Sequence, residues 1–257
     1  MNRHEQLIAL RAILFKEVLR FSRIWIQTIL PPMITTALYF VIFGRLIGSQ
    51  VSDISGYHYM NYIAPGLILM NVITNSYGNV VASFYSAKFQ RSIEEMLVSP
   101  LPNYLIMIGF VGGGLARGMA VGVAVTVVSL FFTVIPVHNL WVAVSVLMLT
   151  SVLFSLGGLI NAIYATSFDD ITIIPTFVLT PLTYLGGVFY TVAMLPPFWQ
   201  SLSLANPILY MVNAFRYGLL GVSDVHLGVA YLAIIGFIVG LFWYALSLLN
   251  RGYGIRT

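Results

Sequence analysis

Charged side chains are scarce in this sequence, and cysteine is absent. Lys, Arg, Asp and Glu make up 8% of its 257 residues, against roughly 25% in an average soluble domain. The absence of cysteine excludes disulfides, thiol catalysis and zinc–thiolate sites. No stretch of roughly 50 residues has the mixed composition of a soluble catalytic domain. The sequence therefore gives no support for a soluble enzyme domain within this chain.

A phosphate-binding loop for ATP is also missing. Such a loop needs Gly-Lys followed by Ser or Thr, because backbone amides and the lysine together cradle the phosphates. The two lysines of the chain, Lys16 and Lys88, follow Phe15 and Ala87 instead of glycine. The four histidines are scattered and form no His-Glu-x-x-His pair of metal ligands. We therefore expect no enzymatic activity, no catalytic residue, no bound cofactor and no metal site.

Long uncharged runs take the place of these features. Hydrophobic residues make up 59% of the chain, and residues 24–44 and 171–215 contain no charged side chain. A membrane-spanning helix needs about 20 mostly apolar residues. The sequence therefore predicts a single all-α integral membrane domain over residues 1–257, with six transmembrane helices. We expect these spans at about residues 24–47, 62–86, 104–132, 140–165, 173–190 and 227–249.

Proline and asparagine interrupt the apolar sequence between the fifth and sixth predicted spans, at Pro196-Pro197 and Asn206-Pro207. Broken helix at membrane depth is tolerated only where protein or a water-filled cavity satisfies its polar groups. We therefore predict outer re-entrant helices within residues 193–221.

Basic residues predict the orientation in the membrane. Six spans place both termini on one side, and nine Lys and Arg fall on that side against two on the other. Cytoplasmic segments carry an excess of Lys and Arg, so we expect both termini in the cytoplasm. We interpret the net charge of +4 as this topological signal and not as a nucleic-acid site. The nine are Arg3, Arg11, Lys16, Arg20, Arg23, Lys88, Arg91, Arg251 and Arg256, and the two are Arg45 and Arg216.

Residues 5–23 mix apolar and charged side chains. Lys16, Arg20 and Arg23 recur at i, i+4 and i+7, on one face of a helix. This pattern is typical of an amphipathic helix that lies on the membrane surface. A basic leader that only orients the first span is the alternative.

A second short amphipathic helix is predicted over residues 88–100, between the second and third spans. Apolar side chains recur there at helical spacing among charges of both signs, and Pro100 ends the segment. Such a helix suits docking of a soluble partner, and an interfacial helix without a partner is the alternative. The candidate docking residues are Lys88, Phe89, Arg91, Ile93, Glu94, Glu95, Met96 and Leu97.

Arg117 is the one charged residue in the interior of a predicted span, since Arg45 lies at the outer end of the first. An arginine at a helix centre costs roughly 2.5 to 3.5 kcal/mol on insertion scales. Arg117 therefore either lines a pathway or extends to the cytoplasmic interface. Glycines within residues 109–122 have small-xxx-small spacings that allow close helix packing.

The predicted spans contain no histidine and no acidic residue. This disfavours an intramembrane serine protease, which would need a histidine at membrane depth. It also disfavours an ion-coupled carrier, because such carriers keep carboxylates within their spans. Asp169 and Asp170 come closest, but two acids there also favour the start of a helix.

The sequence from Leu179 to Arg216 resembles the C-terminal signature of ABC-2 type transporter permeases. That signature spaces small and apolar residues ahead of two prolines, an aromatic or polar residue and a basic residue. The similarity extends through residues 88–100 and 168–171, and so covers essentially the whole chain. The matching residues are Leu179, Leu182, Leu185, Gly186, Val188, Leu195, Pro196, Pro207, Ile208, Tyr210 and Arg216.

The resemblance implies the permease subunit of an ATP-binding cassette exporter in a bacterial inner membrane. It would form the path for an amphipathic, drug-like, glycan or lipid-type substrate, and ATP and Mg²⁺ would act on a separate cytoplasmic ATPase subunit. Family members form dimers, here a homodimer within the lipid bilayer. They dock the ATPase through the helix between spans 2 and 3, at residues 88–97. The N-terminal helix borders the same ATPase, and residues 193–221 close the path outside. An ion-gradient-coupled transporter and a non-transporting membrane scaffold stay open as alternatives.

Overall fold

The computed structural model describes residues 2–47, 53–54 and 56–254, and only the backbone of residues 45–47. The side chain of Arg45 and the whole of Arg256, both used in the charge comparison, lie outside this description. Helices dominate, and no strand occurs in the described part of the chain. The α-helices are α1 Arg3–Arg23, α2 Trp25–Tyr39, α3 Tyr59–Phe89, α4 Ser92–Val98, α5 Asn103–Leu130, α6 Leu140–Tyr164, α7 Asp170–Ile174, α8 Thr180–Tyr184, α9 Pro197–Leu204, α10 Pro207–Leu220 and α11 Leu227–Arg251; Phe40–Ile47 and Pro175–Leu179 are π-helical, and Val192–Met194 is a 3₁₀ turn.

Among the described residues, four helical stretches are long and apolar enough to cross a membrane. At 1.5 Å per residue, about 20 residues span the hydrocarbon core of about 30 Å. The four correspond to the first, third, fourth and sixth predicted spans, which makes the chain a helical membrane protein. They are Trp25–Gly44, Asn103–Leu130, Leu140–Tyr164 and Leu227–Arg251.

The second and fifth predicted spans have a different character. Helix α3 has 31 residues and buries most of its side chains against other helices. In the fifth, residues 170–184 are helical in three consecutive pieces, and residues 185–190 form turns and bends. That prediction extended too far, because Leu185-Gly186-Gly187 turns the chain, with Gly187 at a φ of 73° that L side chains rarely adopt. The count of six spans stays a prediction.

Helix α3 lies at the centre of the bundle and packs against α5, α6 and α10. Its contact with α6 is close at Gly158, where a Cβ atom would stand 2.5 Å from the backbone oxygen of Tyr77. Apolar side chains of α3 join two clusters of buried residues, one around Leu67 and one around Phe84. Surrounding helices therefore cover α3. Helices α2 and α11 lie at the outside of the bundle and have large exposed apolar surfaces.

Candidate coupling and transport sites

Helix α4 occupies the middle of the predicted segment 88–100. It follows Arg91, whose φ of 58° lies in the left-handed region that residues other than glycine seldom adopt. This residue makes the sharp turn between α3 and α4. Ile93 faces the core and is buried, whereas Glu95 and Val98 are exposed. The solvent face of α4 is thus available to a partner, and Glu94, Met96 and Leu97 flank it half-buried.

Lys88 and Phe89 belong to the last turn of α3 and not to α4. The short helix therefore begins at Ser92, later than the predicted residue 88. Lys88 Nζ donates hydrogen bonds to the carbonyl oxygens of Ile163 at 2.8 Å and Ala165 at 2.7 Å. These carbonyls end α6, where no intrahelical donor remains for them. Phe89 packs edge to face on Phe168. Lys88 is therefore engaged within the chain, and it joins the ends of α3 and α6.

Asp170 fastens the connection between α6 and α7. Its Oδ2 accepts hydrogen bonds from the backbone nitrogen and Oγ1 of Thr166, both at 2.8 Å, and from the backbone nitrogen of Ser167 at 3.0 Å. These bonds, first of all that from the Thr166 backbone, lower the pKa of Asp170 to about 2. Helix α7 begins at Asp170, in agreement with the helix-start interpretation of the acidic pair.

Helix α1 covers the predicted segment 5–23, and its three basic residues differ in exposure. Lys16 and Arg23 are exposed, but the Arg20 side chain is only 30% exposed and lies 3.2 Å from Glu17. Glu17 itself is fully buried. Because residues three apart lie on the same side of a helix, Arg20 follows Glu17 towards the bundle.

Four polar residues of α3 at intervals of four form a polar ladder that the sequence analysis missed: Asn71, Asn75, Asn79 and Ser83. Each contacts a side chain of another helix. Asn71 Nδ2 donates to Thr36 Oγ1 of α2 at 3.1 Å, and Ser83 Oγ donates to Glu17 Oε1 of α1 at 2.7 Å. The other two rungs accept from arginines, Asn79 Oδ1 from Arg20 Nη2 at 2.7 Å and Asn75 Oδ1 from Arg117 Nη2 at 3.2 Å.

The signal for this ladder was present in the sequence. Three asparagines and a serine recur at helical spacing inside an apolar run, and polar groups at membrane depth are costly unless they are paired. The ladder also places Arg117, whose guanidinium is held by α3 and whose Nε is buried with no partner among the described residues.

Arg216, which the charge comparison counted on the outer side, lies in a helix within the predicted re-entrant segment. It belongs to α10 and is 1% exposed. Its Nη2 donates to the Gly187 carbonyl oxygen at 2.6 Å, and its guanidinium carbon lies 3.9 Å from the centre of the Tyr62 ring. Both contacts favour the charged form, the ring through a cation–π interaction. Arg216 thus ties α10 to α3 and to the turn after α8.

The other signature residues gather around α10. Gly186 lies against this helix, since a Cβ atom there would stand 2.7 Å from Ile208 Cγ2. The Tyr210 hydroxyl donates to the Leu204 carbonyl oxygen at 2.7 Å, which joins α9 to α10. Leu185 precedes Gly186 in the turn, Leu195 and Pro196 lead into α9, and Pro207 begins α10. The signature residues therefore belong to one packed unit around α10, the helix that contains Arg216.

A groove of about 180 Å³ lies between α3 and residues 175–184. Its lining is Met70, Thr74, Pro175, Leu179, Thr180, Thr183 and Tyr184. The hydroxyls of the three threonines donate to carbonyl oxygens four or five residues earlier in the chain, at 2.7 to 2.9 Å. The surface of the groove is consequently mainly apolar.

Apolar helices around a central helix with internal polar contacts define a helical membrane protein, and comparison with known proteins gives its family. The family model described as "ABC-2 type transporter" matches residues 8–220. The chain therefore belongs to the ABC-2 type transporter family. Its permeases are membrane transport components, not enzymes themselves, and in general work with an ATPase subunit.

Individual relatives agree with this assignment. The chain is 56% identical over 255 residues to the inner membrane transport permease YadH of Escherichia coli (strain K12), with 99% of each chain covered. It is 23% identical over 237 residues to nodulation protein J of Rhizobium meliloti (strain 1021), covering 92% of this chain and 90% of that protein. The similarity thus extends over nearly the full length of both.

Proposed function

We propose that this chain is the permease subunit of an ATP-driven exporter and docks a separate cytoplasmic ATPase through α4. The observation that carries the proposal is the α3–α4 turn at Arg91, which leaves Glu95 and Val98 exposed while Ile93 anchors α4 to the bundle. A short helix that is buried on one face and exposed on the other can bind a partner and transmit the partner's movement to α3.

In the membrane, α3 supplies the second span beside the four apolar ones. Residues 173–184, together with the turns at residues 185–190, supply the fifth. The basic residues of α1 and of the α3–α4 turn then lie in the cytoplasm with both termini. Helices α9 and α10 lie on the outer side. This arrangement is supported by the charge distribution and by the inner-membrane relative. The membrane would be a bacterial inner membrane, and the chain itself would hold no ATP, Mg²⁺ or other cofactor.

The substrate path forms between two copies of the chain. The groove between α3 and residues 175–184 is its wall, and Phe177 beside it is 74% exposed. ATP-driven closure of the ATPase subunits presses on α4 and tilts α3, which moves this wall. Because the groove threonines already donate to nearby backbone carbonyls, the wall suits an amphipathic, drug-like, glycan-linked or lipid-type molecule.

Two substitutions on the exposed face of α4 test the docking. Glu95→Arg and Val98→Asp should each abolish co-purification of the ATPase subunit, with an unchanged melting temperature because neither side chain is buried. Asp53→Arg is the matched control, since Asp53 is also exposed and α3, at about 1.5 Å per residue, separates it from α4. ATPase binding that survives both α4 substitutions would refute the docking role.

The alternatives predict different transport experiments. An ion-gradient-coupled carrier would move substrate in proteoliposomes without an ATPase and would follow a proton gradient. A scaffold would bind a partner without any ATP-dependent flux. A neighbouring reading frame that encodes a soluble P-loop protein would identify the ATPase with which all these experiments are done.

A further inference from the structure

We propose that Glu17 and Arg20 are positioning residues that clamp α1 to α3, so that a push from the ATPase on α1 or on α4 moves α3 in the same way. This inference rests on the proposed function. It gives a role to the hydrogen bonds between α1 and the polar ladder, which take no part in docking through α4.

The clamp has two points of attachment, and together they fix the register of α1 on α3. Ser83 Oγ donates to Glu17 Oε1 at 2.7 Å. Arg20 Nη2 donates to the side-chain oxygen of Asn79 at 2.7 Å and to its backbone oxygen at 3.1 Å. A serine within a helix commonly bonds to the carbonyl four residues earlier. Here that carbonyl, of Asn79, accepts from Arg20, and Ser83 reaches across to Glu17.

Helix α5 closes the other side of the clamp. A Cβ atom at Gly109 would stand 2.4 Å from Ile13 Cγ2, and one at Gly113 would stand 2.6 Å from Glu17 Cβ. The glycines therefore leave a slot into which α1 fits closely. Glu17 is fully buried in this slot, and a buried carboxylate is tolerated only when it is paired and hydrogen-bonded. Sliding or rotation of α1 would break those bonds and leave the charge unpaired.

The two helices proposed to meet the ATPase, α1 and α4, are therefore both attached to α3. The exposed side of α1 carries Lys16 and Arg23. Its buried side packs on α5 and is hydrogen-bonded to α3 through Glu17 and Arg20. Helix α3 ends at Phe89 and turns directly into α4. With the clamp intact, α1 and the end of α3 move as one body relative to the other end of the bundle.

Spin labels can measure this motion, because the chain contains no cysteine and pairs can be introduced without removing any. The pair Ala12→Cys and Gln90→Cys reports the distance between α1 and the end of α3. The pair Gln90→Cys and Trp141→Cys reports the movement of that end relative to the start of α6. All three positions are exposed. Distances are measured by pulsed electron paramagnetic resonance on the permease–ATPase complex in nanodiscs, without nucleotide and with ATP and vanadate.

We expect the 90–141 distance to shift with nucleotide and the 12–90 distance to stay constant. In Arg20→Met and in Glu17→Gln, the 12–90 distribution should broaden and shift with nucleotide. Arg11→Met is the matched control, because Arg11 is an exposed basic residue on the same helix, and it should change neither distance. Ser83→Ala removes a single hydroxyl, so it provides a milder variant if the first two do not fold, and it should broaden the 12–90 distribution.

The two proposals fail in distinguishable ways. A 12–90 distance that shifts with nucleotide in the unsubstituted permease, alongside 90–141, would overturn the clamp and leave the docking of the ATPase intact. A 90–141 distance that ignores nucleotide would overturn the proposed function, and the transmitting role of the clamp with it. A merely stabilising role for Glu17 and Arg20 is excluded if their variants lower the melting temperature no more than Arg11→Met and still uncouple the 12–90 distance.

Discussion

Two adjacent glycines of α6 allow the contact between α3 and α6 to be tested with a built-in control. A Cβ atom at Gly158 would stand 2.5 Å from the backbone oxygen of Tyr77, whereas ordinary contact begins at 3.4 Å. A Cβ atom at Gly157 would meet only the Tyr77 ring, at 3.8 Å. Gly158→Ala must therefore push two backbones apart, and Gly157→Ala fits the space already present.

The expected difference between the two variants comes from the contact alone. Both replace glycine by alanine inside a helix, which favours the helix by about 0.8–1.0 kcal/mol. Overpacking at a site that cannot yield costs about 1–3 kcal/mol. We therefore expect Gly158→Ala to be less stable than Gly157→Ala by about 1–3 kcal/mol, with Gly157→Ala at or above the unsubstituted chain.

Equilibrium unfolding in mixed micelles of a mild detergent and sodium dodecyl sulfate, followed by tryptophan fluorescence, measures these free energies. Each variant is compared with the unsubstituted chain at the same micelle composition. Equal stability of the two variants would show that α3 and α6 do not approach closely at Gly158. The central position of α3 would then need revision.

Three further substitutions test other contacts. Lys88→Met should destabilise the chain by about 1–3 kcal/mol, because the carbonyl oxygens of Ile163 and Ala165 lose their donor. At low temperature, where the variant stays folded, it should still bind the ATPase. A variant of normal stability that has lost ATPase binding would contradict this structural role of Lys88. Asp170→Asn should lower the melting temperature at pH 7. The pKa of Asp170 in the folded chain, about 2, lies below the ordinary 3.8, so ionised Asp170 stabilises the chain above pH 3.8. The difference in melting temperature between the unsubstituted chain and the variant should therefore shrink as the pH falls towards 2. A difference that stays constant over that range would refute the hydrogen-bonding account. Phe177→Cys should cross-link to its copy in a second chain with a short bis-maleimide, because a two-fold axis along the path brings like residues together, whereas Trp243→Cys on α11 should not.

The sequence predicted the long apolar helices well because their determinants are local. Uncharged runs and span length identified four helices, and the gap in charge before Arg45 placed the first of them. The same local reasoning placed Lys88 in the docking helix, since spacing cannot show that its ammonium group reaches the end of α6. It also counted Arg216 only as a charge on the outer side, because nothing nearby in the sequence reveals the Tyr62 ring and the Gly187 carbonyl.

Glu17 shows the limit most clearly. In the sequence it is one acid in a mixed amphipathic helix, and only the tertiary structure brings it to Ser83 and into the slot beside Gly113. Composition and charge by themselves determined that this is a helical membrane protein, and the spaced residues of the signature pointed to its family. Tertiary structure alone decided which polar residues pair across helices, because such pairs join positions far apart in the chain and form only where close packing brings them within hydrogen-bonding distance.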